Sequence, residues 1–305
     1  IDGNNNTASG FQALRANTSG SFNTASGFAA LYSNTDGNNN TASGSYALFN
    51  NISGDGNTAS GFSALYSNTT GQNNTASGFS ALYSNTTGQN NTASGVEALY
   101  NNTTGGSNTA SGYQSLYSNI DGNNNTASGF QALRANTTGS FNTASGYQAL
   151  YNNTTGGSNT AYGSYALFNN ISGHGNTASG VDVLRNNTTG VSNTASGFGA
   201  LRANTTGSFN TAFGFQALFN NIGGNTNSAF GFRAGSSLNS GSYNTFIGYN
   251  ACLGVTSANN FFCFGNESST IFAANAATGN MILGNGNGQV TIDGDLYVTG
   301  NIYYD

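Results

Sequence analysis

The strongest constraint on how this chain can fold is a period. The motif Asn-Thr-Ala-x-Gly begins at Asn6 and returns every 17 residues, at Asn23, Asn40, Asn57 and onward to Asn210, without insertion or deletion. Asn-Ser-Ala at Asn227, Asn-Thr-Phe at Asn244 and a degenerate copy from Phe261 keep the same step. A fixed period of this size is the signature of a solenoid or other repeat fold. With slots numbered 1 to 17 from that Asn, the consensus is N-T-A-S-G-F-x-A-L-Y-x-N-T-T-G-x-x. Slot 5 is Gly throughout, slot 9 is Leu in the first thirteen copies (Leu14 to Leu218), and slot 15 is Gly from Gly20 to Gly241, whereas slots 7, 11, 16 and 17 drift. Fixed slots mark an interior or a constrained backbone; drifting slots face water. A disordered low-complexity tract would not hold a Leu at constant spacing.

Two glycines per copy, with Asn, Thr and Ser around them, make poor helices. In the first copy Ala8 and Gly10 alternate with Thr7, Ser9 and Phe11, which is the pattern of a short strand. Asn-Thr-Thr-Gly then reads as a turn in which Asn and Gly take positive φ. The expected fold is all-β: a β-solenoid, as a trimeric β-roll, of about sixteen 17-residue coils over 1–265, followed over 266–305 by an irregular stretch and a C-terminal intertwined trimeric β-segment. At about 4.8 Å per coil the rod would be roughly 75 Å long. Slot 9 is expected inside. Slot 4 changes from Ser to Tyr162, Phe213, Phe230, Ile247 and Phe264 toward the C-terminus, as if that face becomes covered there. Val290, Ile292, Leu296, Val298 and Ile302 nearly alternate, and three chains around an axis would bury them. Both features predict a homotrimer.

Charge is scarce. Five arginines and no lysine against ten acidic residues give a net charge of -5, with 5% charged residues overall. A basic patch for nucleic acid or anionic membranes is therefore missing, and no apolar run approaches the roughly 18 residues of a membrane helix. The partners expected are two further copies of the chain and a cell-surface glycan or receptor, with no nucleic acid and no membrane insertion. His174 has Asp55 as its counterpart in the same I-S-G-x-G context, which reads as an exposed turn tip rather than a catalytic base. Asp2, Asp36 and Asp121 sit at slot 14 and Glu97 and Asp182 at slot 7, never in neighbouring copies. Neither an acid–base pair nor a calcium ligand in every coil is formed, and Asp293 and Asp295 read as solvated flanks of a turn glycine. No catalytic, metal or cofactor residues are assigned, and the chain reads as a non-enzyme. Cys252 at the Leu slot and Cys263 at the Ala slot of the next coil are expected to be buried free thiols, a disulfide between neighbouring coils being the alternative. Sequons such as Asn68-Thr69-Thr70 read as solenoid turns outside a glycosylating route. Slot 10 supplies the candidate binding row for sugar stacking: Arg15, Tyr32, Tyr66, Tyr83, Tyr100, Arg134 and Tyr151. The alternative is a planar side chain covering the coil edge.

Tandem N-T-A-x-G-(F/Y)-x-A-L units over about residues 4 to 265 resemble repeats of viral and bacteriophage tail fibres, and more distantly the head repeats of trimeric autotransporter adhesins. The ending D-G-D-L-Y-V-T-G-N-I is similar to the segment that precedes an endosialidase-type self-cleaving chaperone in such fibres. The adhesin heads use a shorter repeat with an aliphatic residue where this chain mostly has Ser. The resemblance implies a structural and adhesive fibre on a virion or cell surface, outside the cell, used for host attachment. It also suggests that these 305 residues belong to a longer precursor whose assembly nucleates between Asn259 and Asp305. From the residues alone a second function is open, an ice-binding β-solenoid using the Thr and Ser rows of slots 2 and 4.

Overall fold

A computed structural model describes residues 3–266, 270–275 and 280–283. The chain winds as a β-solenoid, one turn per 17-residue copy. Each copy gives one three-residue strand, from β1 (Thr7–Ser9) through β15 (Thr245–Ile247), and the sixteenth copy gives β16 (Phe261–Gly265). Neighbouring strands pair in parallel with like residues opposite: Thr75 faces Thr92, Ala76 faces Ala93 and Ser77 faces Ser94. After β16 the chain reverses. β17 (Thr270–Asn275) and β18 (Asn280–Leu283) continue the sheet antiparallel. The alternating residues from Val290 to Ile302, and with them the trimeric segment expected from the sequence, lie outside the described residues.

The interior is narrow. In a middle coil Ala76, Ala81 and Leu82, at slots 3, 8 and 9, are all but inaccessible, which places the Leu row inside. The outward neighbours Thr75 and Ser77 are exposed. Two Ala and one Leu cannot by themselves offset the ordering of seventeen residues, and the remainder comes from polar ladders. Asn85 at slot 12 donates Nδ2 to Oδ1 of Asn68 in the preceding coil at 2.8 Å, and to the Gly88 carbonyl at 3.0 Å. Asn74 at slot 1 donates Nδ2 to that same Gly88 carbonyl at 2.8 Å, while its backbone N–H donates to Asn57 Oδ1 at 3.0 Å. Both amides are fully buried. Only a side chain with donor and acceptor at this length satisfies every group, which explains why the slots stay Asn.

Backbone strain falls where the residue types do not announce it. Positive φ is taken not by the Asn and Gly of Asn-Thr-Thr-Gly but by the slot 5 glycine and, among non-glycine residues, by slots 7, 9 and 17: Gly78 (140°), Ser80 (52°), Leu82 (53°) and Asn90 (59°) in one coil. A left-handed Leu costs on the order of 1 kcal/mol. Stacking enforces it, because the turn through slots 5 to 11 aims the Leu inward while Leu82 N donates to Ala98 O at 2.9 Å. Gly71 at slot 15 is needed for close approach instead: a Cβ there would lie 2.4 Å from Asn68 Oδ1 and 2.5 Å from the Gly88 carbonyl.

Candidate functional site

With Leu and Ala turned in, the outward surface is a set of parallel rows, one side chain per coil. Thr at slot 2 and Ser at slot 4 form a hydroxyl face, exposed on either side of a buried Ala and in register between coils.

Slot 10 forms a column. Tyr32, Phe49, Tyr66, Tyr83, Tyr100 and Tyr117 stack with centroids 5.0 to 5.2 Å apart and planes within 4 to 13°. Arginines enter it as further flat rungs. The Arg15 guanidinium lies 5.4 Å from the Tyr32 ring and donates to its hydroxyl. Arg134 sits between Tyr117 at 5.2 Å and Tyr151 at 5.8 Å, and Tyr151 stacks on Phe168. Arg185 and Arg202 are adjacent rungs, held by Asp182, whose carboxylate oxygens lie 3.2 and 3.8 Å from them. Every residue of the predicted binding row is thus in one line, but its flat faces are turned toward its own neighbours. Ring edges and phenol hydroxyls are what this column presents outward. Burial, then the adjacent phenols of Tyr83 and Tyr117 and the Glu97 carboxylate, hold the Tyr100 hydroxyl above its ordinary pKa of 10.0.

A second aromatic row, at slot 6, runs beside the first and was not singled out as a binding surface from the sequence, although its Phe is part of the consensus. Phe62 stacks on Phe79 at 5.3 Å, and Phe198, Phe215, Phe232 and Tyr249 form a longer column. These rings are more exposed than those of slot 10. Slot 7 lies between the two rows and sets the depth of the gap. Glu97, Gln114, Gln131 and Gln148 join in a chain of side-chain hydrogen bonds of 2.7 to 3.0 Å, whereas Ser63 and Ser80 leave a recess. On another face, Asn152, Asn169 and Asn186 at slot 11 form an amide column along a groove of about 520 Å3, walled opposite by Thr154, Ile171, Thr188 and Thr205.

Near the C-terminus slot 4 also carries exposed rings, in addition to those of slot 6. Phe213 stacks on Phe230 at 5.7 Å, as Phe215 does on Phe232, and all four are about two-fifths exposed.

The two remaining sequence candidates resolve differently. His174 is exposed and plays a structural part, in that its Nδ1 accepts the backbone N–H of Gly157 at 2.9 Å, as Asp55 Oδ1 accepts that of Asn38. Asn and Ser at other copies of slot 16 accept the same kind of bond, as Asn123 Oδ1 does from Gly106 N–H and Ser208 Oγ from Val191 N–H, while Gly106, Gly157 and Val191 show that the slot does not require an acceptor. The cysteines correct the expectation of free thiols, since Cys252 and Cys263 form a disulfide with Cα atoms 6.4 Å apart. The Leu slot of one coil packs against the Ala slot of the next, so two cysteines in those slots face each other at bonding range.

Among the described residues no group of three His, Cys, Asp or Glu side chains gathers into a metal-binding cluster, and no helix is long and apolar enough to cross a membrane. No protein-family model, curated protein or solved structure matches the chain.

Proposed function

We propose that the chain is a structural and adhesive fibre protein, the homotrimeric shaft of a viral tail fibre or cell-surface adhesin, which binds host or surface glycans multivalently outside the cell. The observation that carries this reading is the display itself: one side chain per coil, in register along a rod whose coils are joined by the same bonds. A weak contact repeated at fixed pitch gains strength by effective concentration rather than by new chemistry. For glycans the exposed chemistry is hydrogen bonding, from the phenol hydroxyls of slot 10 and the amide column of Asn152, Asn169 and Asn186, more than ring stacking. The exposed stacked pairs Phe213–Phe230 and Phe215–Phe232 support association between copies, since large exposed apolar surface is characteristic of interfaces. The Cys252–Cys263 bond supports an oxidising location.

Light scattering of the intact chain is expected to give three times its 31.0 kDa mass, and a glycan array is expected to retain the oligomer. A monomer that binds no glycan would end this reading. A second reading rests on the exposed, in-register Thr and Ser rows, which present hydroxyls at about 7 Å along each strand and about 4.8 Å between strands, a regular array suited to ice. Tyr162, Phe213 and Phe230 interrupt the Ser row. A thermal hysteresis assay separates the two.

A further inference from the structure

The gap between the aromatic rows of slots 6 and 10 is entered twice by a ring of the chain itself, each time in a coil whose slot 6 lacks a ring, and the contacts of that ring show which ring geometry the two rows accept. In two copies slot 6 is Ser and slot 7 is Tyr, giving Gly-Ser-Tyr-Ala-Leu at 44–48 and again at 163–167. The Tyr46 ring enters the gap and meets Phe28 and Phe62 of one row and Phe49 of the other at interplanar angles of 68, 80 and 62°. Tyr165 does the same with Tyr147 and Phe168, at 74 and 69°. The rings of both rows are stacked along the rod, so they offer edges to the gap. Ring edges are electropositive and ring faces electronegative, which makes an inserted aromatic ring, turned crosswise, the complementary guest.

In the two coils after Tyr46, slot 6 carries its own ring, Phe62 and Phe79, and slot 7 is small. Ser63 and Ser80 occupy slot 7, only 5% and 6% exposed, and form the floor of a recess of about 510 Å3 between Phe62 and Phe79 on one side and Tyr66, Tyr83 and Tyr100 on the other. Tyr46 closes one end and Glu97 lines the other. Gln114 Nε2 donates to one Glu97 oxygen at 2.7 Å. The phenol oxygens of Tyr83 and Tyr100 add to the negative potential at this end, and no cation of the chain lines the recess.

We infer that this recess is a binding site for a small aromatic amine, whose ring stands crosswise over Ser63 and Ser80, between the edges of Phe62 and Phe79 and those of Tyr66 and Tyr83, and whose ammonium group faces Glu97. The assignment is independent of the fibre reading and of trimer formation. The recess lies in coils whose slot 4 is Ser60, Ser77 and Ser94, away from the C-terminal aromatic pairs.

The array supplies variants that keep its fold. Phe79→Ser combined with Ser80→Tyr rewrites one coil as the native Gly-Ser-Tyr-Ala-Leu segment, and slot 7 is already left-handed in both settings, with φ 52° at Ser80 and 59° at Tyr46. Glu97→Gln extends the glutamine chain of slot 7. Titration calorimetry of the intact chain with tyramine is expected to give one site. The double variant is expected to lose that binding. Glu97→Gln is expected to weaken tyramine about tenfold while leaving 4-ethylphenol, which lacks the ammonium group, unchanged. Unaltered tyramine binding by the double variant would overturn the site. Equal affinity for 2-cyclohexylethylamine would overturn the role of the aromatic ring, and displacement of tyramine by methyl glucoside would reassign the recess to sugar. Because glycan retention and mass are read separately, the site can fail while the fibre reading stands, and the reverse.

Discussion

The coils from Asn23 to Asn221 and those from Asn227 to Gly265 build the same turn from different interiors. In the first set every coil carries Leu at slot 9 and Asn at slots 1 and 12. In the second, slot 9 is Gly235, and the Phe246 ring from the next coil occupies its space: a Cβ on Gly235 would come within 2.5 Å of that ring. Slot 12 becomes Leu238, fully buried, and then Val255. The slot 12 ladder ends at Asn221, whose Oδ1 is met at 3.5 Å by Nδ2 of Asn227 from the other ladder. A disulfide joins the last two parallel coils. The slot 1 ladder continues through Asn227 and Asn244, so the contrast teaches that the turn does not require the slot 12 ladder. Once a ladder is started, however, each rung must be Asn, because an interior rung without an amide strands the groups on both sides of it. The second region has contents that occur once, so a coil shifted by one copy no longer finds equivalent contacts there.

Four experiments would break or sharpen this contrast. The largest effect is expected from Leu82→Asp in the uniform region, which puts an unpaired charge where a packed Leu was and should cost about 4 kcal/mol. An unchanged melting curve would show that the Leu row faces water. Next, reducing Cys252–Cys263 is expected to cost about 3 kcal/mol, and hydrogen exchange should quicken around residues 244–265 while coils before Asn210 keep their protection, since each coil senses only its neighbours. Loss of protection along the whole rod would refute that independence. Third, Asn68→Leu imports the apolar solution of Leu238 into a running ladder, and the stranded Asn51 and Asn85 groups should cost about 2 kcal/mol. A neutral result would mean the amides contribute nothing beyond filling space. The smallest effect concerns alkali. The Tyr100 phenol has a folded pKa above 10.0, raised first by burial, so the stability it contributes is complete below pH 10 and is lost as pH rises through the folded value. Tyr100→Phe is expected to flatten the loss of melting temperature above pH 10.

Much of this architecture was readable from spacing alone. A Leu that returns thirteen times at one slot identifies the inside, and Ala between Thr and Ser identifies the strand. Left-handed φ at Leu82 and Ser80 was not readable, because local preference assigns that conformation to Gly and Asn, and it is stacking between coils that overrides it. The slot 10 row was found, but not the direction of its rings. Spacing says that Tyr66 and Tyr83 are neighbours and is silent on whether their faces meet each other or the solvent. The pairing of Cys252 with Cys263 likewise depends on which interior slots oppose one another across adjacent turns. His174 and Asp55 were readable as an exposed turn tip, but not the backbone N–H that each accepts from the preceding coil.

The hydrogen bonds between turns also have a consequence for inheritance. Asn85 contacts Asn68 as Asn102 contacts Asn85, so removing or adding whole copies between them recreates the same junction and disturbs neither end. The identical stretches Ile1–Thr18 and Ile120–Thr137 are what such events leave behind. Reach is therefore a trait that can change in discrete steps without a search through unfolded intermediates, and two lineages can differ in span while sharing every coil-to-coil contact.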